Sequence, residues 1–173
     1  MKITFEKLIS PNSKIANTLN KWANDPLLIP LTRPNRNKKE LEAQSVITMT
    51  SLTEILKHQF MYLIYVDNQL VGQMNFQMNF GHLYKTEPGT AWIGIALGES
   101  SLFRKGIGMK AMDYLEKQIY AEGLRRIELG VFSFNTPALK FYKKRGYLEI
   151  GRIEEFTLWQ DQMWSDIRME KYL

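Results

Sequence analysis

Two short stretches of this 173-residue chain hold side chains and backbone suited to group-transfer chemistry. The first reads Phe103-Arg104-Lys105-Gly106-Ile107-Gly108-Met109. Its glycines lack Cβ atoms, so the backbone is free to take unusual φ values and to come close to a ligand. A helical pattern follows, with Met109, Met112, Leu115 and Ile119 at three- and four-residue spacing, and Tyr120 less cleanly placed, between Lys110, Asp113, Glu116 and Lys117. The first N–H groups of a helix have no intrahelical partner, and the helix dipole favours negative charge there. A phosphate or pyrophosphate is the simplest anion to satisfy them. Arg104 and Lys105 add two cations at the same place. A turn that merely needs glycines, beside two solvated cations, explains the segment equally well, and both readings stand at this point.

The second stretch runs from a β-prone Ile127 to Phe132 into Asn135-Thr136-Pro137-Ala138 and on to Phe141-Tyr142-Lys143-Lys144-Arg145-Gly146. Asparagine or threonine caps a helix, proline suits its first turn, and glycine stops it. Tyr142 then lies on the apolar side of that helix beside Ala138 and Phe141. A tyrosine hydroxyl is a competent proton donor, although a half-buried structural tyrosine is the plainer account of Tyr142 by itself. A rival motif fails. Gly106-Ile107-Gly108-Met109-Lys110-Ala111 fits the dinucleotide pattern G-x-G-x-x-A, with Glu128 about twenty residues on. That fingerprint requires a strand running into its first glycine, and Gly98-Glu99-Ser100-Ser101-Leu102-Phe103-Arg104-Lys105 is too polar and broken to be one.

Taken together, the Arg-Lys-Gly-Ile-Gly turn, the helix, the strand ending at Asn135 and the Ala138-x-x-x-Tyr142-x-x-x-Gly146-Tyr147 helix resemble the GCN5-related N-acetyltransferase (GNAT) superfamily. The branch containing ribosomal-protein-alanine and spermidine N-acetyltransferases is the most similar. It tends to carry Trp-x-Asn-Asp, matched by Trp22-Ala23-Asn24-Asp25. Glu149-Ile150-Gly151-Arg152 partly matches its later Glu-Gly-x-x-Arg segment, and Asp166 and Met169 resemble its closing Asp-x-x-x-Met, one residue closer together. The strong likeness covers residues 90–169.

The resemblance implies an α+β fold in three layers: a mixed, mostly antiparallel twisted sheet flanked by helices, with a splayed strand pair that takes the cofactor. It implies acetyl-CoA as donor substrate. Ile95, Ala96 and Leu97 would line the pantetheine arm. Backbone N–H groups of Arg104, Lys105, Gly106, Ile107, Gly108 and Met109 would hold the pyrophosphate. Asn135 would hydrogen-bond the pantetheine and Tyr142 would protonate the leaving thiolate. Two departures stand out. Phe103 sits where relatives carry arginine or glutamine, leaving Arg104 to supply the charge. Gly130 sits where some relatives place a glutamate that helps deprotonate the amine. The general base is therefore unassigned, with Glu99 and an ordered water as candidates.

The chemistry itself narrows the mechanism. About a thousandth of an alkylamine with a pKa near ~10 is neutral at pH 7, so a proton acceptor is needed. A backbone N–H near Ala96 is placed to bond the thioester oxygen as charge grows. The chain has no cysteine, which excludes an acetyl-cysteine intermediate, and no Ser-His-Asp pattern suggests an acyl-serine. Direct transfer in a ternary complex is the expectation. His58 and His82 have no second ligand at metal spacing, so no metal is expected.

The whole chain sets the remaining bounds. Its length fits one domain, 1–173, and 45% hydrophobic residues argue against disorder. Absent cysteines, signal-peptide core and membrane-length apolar run, a cytoplasmic location is expected. Net charge is +5, with 10 basic and 7 acidic residues in 1–89 and 13 and 11 in 90–173, so no basic tail is present. The densest clusters, Arg104-Lys105 and Lys143-Lys144-Arg145, are explained by a phosphate-rich cofactor as well as by nucleic acid. A catalytically inactive acyl-CoA-binding module and a basic nucleic-acid-binding domain are the alternatives to an N-acetyltransferase acting on a small amine, an amino sugar or a protein N-terminus. Cationic acceptors usually want carboxylate clusters, and residues 1–89 hold none beyond Glu40 with Glu42. A homodimer stays open.

The elements that must position these groups read as follows. Ile3 to Leu8 alternates as a strand, Lys14 to Trp22 is a helix, and residues 30–39 form a loop shaping the acceptor site. Glu40 to Ile47 suggests a helix, and Ser51 to Glu54 a capping box for another reaching Lys57. Tyr62 to Val66 and Leu70 to Phe80 make a hairpin about Asp67-Asn68-Gln69. Its polar residues Gln73, Asn75, Gln77 and Asn79 form an ordinary outer face or, alternatively, face the acceptor pocket. Trp92 to Leu97 is the donor strand. Tyr147 to Ile153 and Asp166 to Tyr172 close the sheet, with Phe156 to Trp164 an aromatic-rich loop between them. Trp159 and Trp164 are left to cover the pocket, pack in a dimer or bury themselves.

Overall fold

A computed structural model of the chain describes all residues, Met1 to Leu173. One sheet of seven strands organises it: β1 (Ile3–Lys7), β2 (Phe60–Val66), β3 (Gln69–Met78), β4 (Thr90–Leu97), β5 (Arg126–Phe132), β6 (Leu148–Trp159) and β7 (Gln162–Tyr172), in the spatial order β1-β2-β3-β4-β5-β7-β6. Every neighbouring pair is antiparallel except β4 and β5. Six helices accompany the sheet: α1 (Ser13–Ala23), α2 (Ile29–Thr32), α3 (Lys38–Glu42), α4 (Met49–His58), α5 (Ile107–Ala121) and α6 (Thr136–Lys144). This is the mixed, mostly antiparallel three-layer fold expected from the sequence.

Strand alternation sorts the side chains onto two faces. Tyr62, Ile64 and Val66 of β2, Met74 and Phe76 of β3, Ile127, Leu129 and Val131 of β5, and Ile167 and Met169 of β7 join the larger core. Ile107, Ala111, Met112, Leu115 and Ile119 of α5 seal it from above. Met61 and Leu63 point the other way, into a smaller core with Ala16, Leu19 and Trp22 of α1 and Leu52 of α4. Because β2 is covered on both faces, its sequence is a near-continuous apolar run rather than an alternating one. The β2–β3 turn places Asp67 and Asn68 at φ 47° and 68°, the mirror-image turn whose twist suits a hairpin.

The second face is covered differently over β4, β5 and β7. Here Trp92, Gly94 and Ala96 share a face with Gln73 and Asn75 of β3, their register partners being Gln77, Asn75 and Gln73. Glu128, Gly130, Asp166 and Arg168 lie on the same face of β5 and β7. No helix covers this half. Residues 79–89 and the segment after α2 arch over it and leave a trough.

The fold corrects the sequence reading in four places. The helix expected over Glu40 to Ile47 ends at Glu42, because the side chains of Asn20 and Asn24 take the amides of Ile47 and Ser45 at 2.6 and 2.7 Å and hold that segment extended. The capping box lies one turn earlier than expected, with Thr48 and Ser51 exchanging hydrogen bonds. The expected aromatic loop is instead a long hairpin: β6 continues to Trp159, Gln160 and Asp161 turn with positive φ, and β7 begins at Gln162. Trp159 and Trp164 pack around Phe134 with centroids 6.2 and 5.4 Å away, outside the trough lining. Finally, Arg145 is not a free cation, for its guanidinium reaches Asp113 and Glu116 of α5 at 2.9 and 3.1 Å and ties the two helices together.

Candidate active site

β4 and β5 run parallel and pair only over Thr90–Trp92 with Arg126–Glu128. Beyond Trp92 they part, so the backbone of β4 from Ile93 to Leu97 keeps its β3 partner and loses β5. α5 follows β4 and α6 follows β5, and the two strands point the same way. Both helix N-termini therefore stand at the open end of the fork. Phe141 of α6 lies 3.5 Å from where a Cβ on Gly108 would be, so the start of α5 packs against the second half of α6.

The turn before α5 takes the conformation that its glycines permit. Gly106 caps the helix at φ 79°, and Arg104 is also in the left-handed region at φ 62°. That is a strained state for a residue with a Cβ. None of the six amides from Arg104 to Met109 donates to another group of the protein, and the first helical bond there comes from Lys110 N to Gly106 O. No side chain caps this helix. Arg104 and Lys105 make no ion pair. The Ile107 side chain is buried in the larger core, so only its backbone is available. Phe103 is partly exposed beside the turn.

On the other limb, Asn135 caps α6 by accepting from Ala138 N at 3.3 Å through Oδ1. Its Nδ2 makes no hydrogen bond within the chain, and the residue lines the trough. Tyr142 is buried, edge-on to Phe141 and Tyr147. Its hydroxyl makes no hydrogen bond within the chain yet lines the trough. Burial pushes its phenol well above the ordinary range, with Arg145 pulling weakly the other way. The group therefore stays protonated at neutral pH.

The trough encloses about 890 Å³. Ile95, Ala96, Asn135 and Tyr142 line it, as do Gln73 and Asn75, so the polar side of the hairpin faces the pocket. Leu97 does not line it. Its side chain lies on the opposite face of the strand, against Gly72. One wall comes from Leu31, Thr32, Pro34 and Arg36. This wall is anchored to β6, since Asn35 N donates to Thr157 Oγ1 at 3.0 Å and Leu158 N to Asn35 O at 2.6 Å. Phe80, stacked on Trp92 at 4.5 Å, and His82 form the facing rim.

The floor is a row of buried charges that the sequence reading did not single out. Glu128, fully buried, accepts from Arg126 at 2.7 Å and from Arg168 at 3.4 Å, and also from the amides of Tyr84 and Lys85. Arg168 lies over the Trp92 ring at 4.7 Å, donates to His82 O at 2.8 Å and to Asp166 Oδ2 at 2.7 Å. In sequence, Glu128 reads at most as a ribose ligand and Asp166 as part of a spacing pattern. No local signal marks them as neighbours, because Arg168 comes opposite Gly130 and Asp166 opposite Phe132 only in the folded β5–β7 register. Glu99 is elsewhere: its carboxylate accepts from Trp22 Nε1 and Lys21, both at 3.3 Å, and it does not line the trough. Trp22 itself fills the space beside Gly98, where a Cβ would come within 1.9 Å of the indole.

Residues 19–147 match the model of the family described as Acetyltransferase (GNAT) family. The chain belongs to the GNAT family. It is an acetyltransferase, and acetyl-CoA is the donor this family's activity implies. Solved structures show the same fold. A GNAT-family acetyltransferase from Streptococcus pneumoniae is 18% identical, with TM-score 0.76 over 99% of this chain and 100% of its own. A ribosomal-protein-alanine N-acetyltransferase from Brucella melitensis is 13% identical, with TM-score 0.76 over the full length of both chains. A spermidine N-acetyltransferase from Vibrio cholerae, solved with CoA and spermine, is 15% identical, with TM-score 0.74 over 98% of this chain and 95% of its own. The GNAT chain described here thus carries an open fork, a partner-free amide turn and an unpaired tyrosine hydroxyl within a family of acetyl-transfer enzymes.

Proposed function

We propose that the chain moves an acetyl group from acetyl-CoA directly onto a primary amine, in a ternary complex, the amine being a small molecule, an amino sugar or a protein N-terminus. The observation that carries this reading is the Tyr142 hydroxyl, unpaired and held in the trough at the opening of the β4–β5 fork. The amides of Arg104 to Met109 bind the pyrophosphate, with Arg104 and Lys105 as counter-charges. The free β4 backbone about Ile95 and Ala96, together with Asn135 Nδ2, holds the pantetheine, and Leu97 contributes through its backbone alone. A β4 amide near Ala96 bonds the carbonyl oxygen as charge develops on it. Tyr142 gives its proton to the departing sulfur.

The acceptor end of the trough favours an amine of low charge. Asp166 is the single carboxylate among the lining residues, and it already pairs with Arg168, while Arg36 adds positive charge. A polycation meets too little negative charge here. The expected acceptor is neutral or singly charged, with apolar surface for Phe80, Trp92, Phe132 and Phe156.

Thermal melting followed by a thiol-release assay tests the reading. At a hundredfold excess over Kd, ligand binding adds about 2.7 kcal/mol. For a chain of this size that is a rise in Tm of roughly 5–10 °C with acetyl-CoA or CoA. Free thiol then appears only when amine is added. No shift in Tm at saturating CoA would overturn the cofactor assignment.

A further inference from the structure

Removal of the ammonium proton is the one step of this reaction for which neither the turn nor Tyr142 supplies a group. The titratable side chains lining the trough are Arg36, His82, Tyr142, Asp166 and Arg168. Guanidinium groups do not accept protons at neutral pH, and Tyr142 is held protonated. His82 is exposed at the rim with its ring edge-on to Phe80. Asp166 is buried in the floor, 3% exposed.

The Asp166 carboxylate is placed with unusual care. Oδ2 accepts from Arg168 Nε at 2.7 Å, whereas Oδ1 accepts no hydrogen bond in the chain and is not sealed from the trough. Gly130, on β5, makes the placement possible. A Cβ there would stand 2.6 Å from Oδ2 and 2.8 Å from Oδ1, so the carboxylate occupies the space that any side chain at position 130 would take. Arg168 is in turn fixed by Glu128, His82 O and the Trp92 ring, so it orients the carboxylate without a rotamer search and favours its charged form against burial. Ile153 is the register partner of Asp166 on β6, and Phe132 its partner on β5. No second carboxylate adjoins it in the trough.

We infer that Asp166 is the general base of this acetyltransferase, with Gly130 the residue that makes room for it; the inference rests on the acetyl-transfer reading above. Oδ1 takes one proton from the bound ammonium, breaking an N–H bond. The nitrogen lone pair forms the C–N bond to the acetyl carbon as the C–S bond breaks. Sulfur leaves with the Tyr142 proton, and the second proton lost by nitrogen replaces it on the tyrosine through solvent. The products are amide, CoA thiol and one proton, which Asp166 passes to water. Burial outweighs the Arg168 hydrogen bond and raises the carboxyl above its ordinary range, which brings it nearer to the amine it must deprotonate.

Asp166→Asn, Gly130→Ala and His82→Ala, assayed with acetyl-CoA and an amine that the wild type accepts, test this across pH. In Asp166→Asn, kcat/KM should fall about 10²-fold at pH 7. The deficit should shrink as pH approaches the amine's own pKa, where no base is required. Gly130→Ala should show the same convergence with the carboxylate present but displaced, and both variants should keep the Tm shift with CoA. Any loss in His82→Ala, a rim residue, should be equal at every pH, with no convergence toward the amine's pKa. An Asp166→Asn deficit that is equal at every pH marks a structural role and overturns the inference, as does an indifferent Asp166→Asn or a convergent loss in His82→Ala. If the wild type releases no thiol with any amine, the acetyl-transfer reading fails and this inference with it. An active wild type with an indifferent Asp166→Asn overturns this inference alone.

Discussion

Tyr142 shows how much one side chain's surroundings decide. Its ring is packed by Phe141 and Tyr147, which removes water from around the phenol and disfavours the phenolate. Its hydroxyl nevertheless has no protein acceptor, unlike that of Tyr147, which donates to Glu116 at 3.0 Å. Two tyrosines five residues apart therefore have opposite fates, one fastened and one left free. Tyr142→Phe removes a single oxygen from a site that packing already defines. The expected result is a kcat lower by about 10²-fold with the CoA dissociation constant unchanged, measured by steady-state thiol release and by titration calorimetry. Because the phenol is raised, the tyrosine should not lose its proton at any pH up to about 10, and no alkaline fall in kcat should arise from it below that value. Wild-type kcat in the variant would remove Tyr142 from the proton pathway.

At the scale of elements, the turn into α5 and the helix that carries Tyr142 were legible because their signals are local. Gly106 and Gly108 mark a turn, Asn135-Thr136-Pro137 marks a helix start, and Gly146 marks its end, each within a few residues. What defeated the sequence was contact between distant segments. Residues 43–47 read as helical because nothing nearby shows that Asn24 and Asn20 will claim the amides of Ser45 and Ile47. Phe156 to Trp164 reads as a loop because the aromatic residues obscure the alternation that β6 and β7 follow together. Arg145 looked like part of a basic terminus because its partners, Asp113 and Glu116, lie a helix away. The Asp166–Arg168–Glu128 row was invisible for the same reason, requiring the β5–β7 register that only the folded sheet supplies.

The turn also yields a test at its own scale. Gly106 has φ 79°, so Gly106→Ala places a Cβ in the left-handed region at a cost of about 1 kcal/mol. The stability loss should be small and the loss of CoA affinity larger, because the partner-free amides from Arg104 to Met109 are re-aimed. Amide hydrogen exchange followed by mass spectrometry reads the same point without mutation. On adding CoA, protection should appear across residues 104–109, and protection that instead appears only near Lys143 and Lys144 would move the phosphate site to the end of α6.

Across the whole molecule, the two halves of the sheet's second face are held by different physics. Under α1 and α4 the contact is apolar, and Leu52 and Leu63 are fully buried there. Under residues 79–89 it is ionic. Glu128 joins Arg126 and Arg168 across β5 and β7 and receives the amides of Tyr84 and Lys85 from the arching loop, so one carboxylate fastens the floor of the trough to its rim. A buried carboxylate flanked by two guanidinium groups is costly to desolvate, and its partners are costlier still when it is taken away. Glu128→Gln keeps the shape and removes the charge. It should destabilise the chain by about 3–5 kcal/mol, read from chemical denaturation, and loosen residues 82–87 in hydrogen exchange. Since Arg168 loses its anchor while Asp166 remains, kcat/KM for the amine should fall more than affinity for CoA, which depends on the opposite end of the fork. Equal losses in both would mean that the charged row supports the sheet as a whole rather than the acceptor side of the trough.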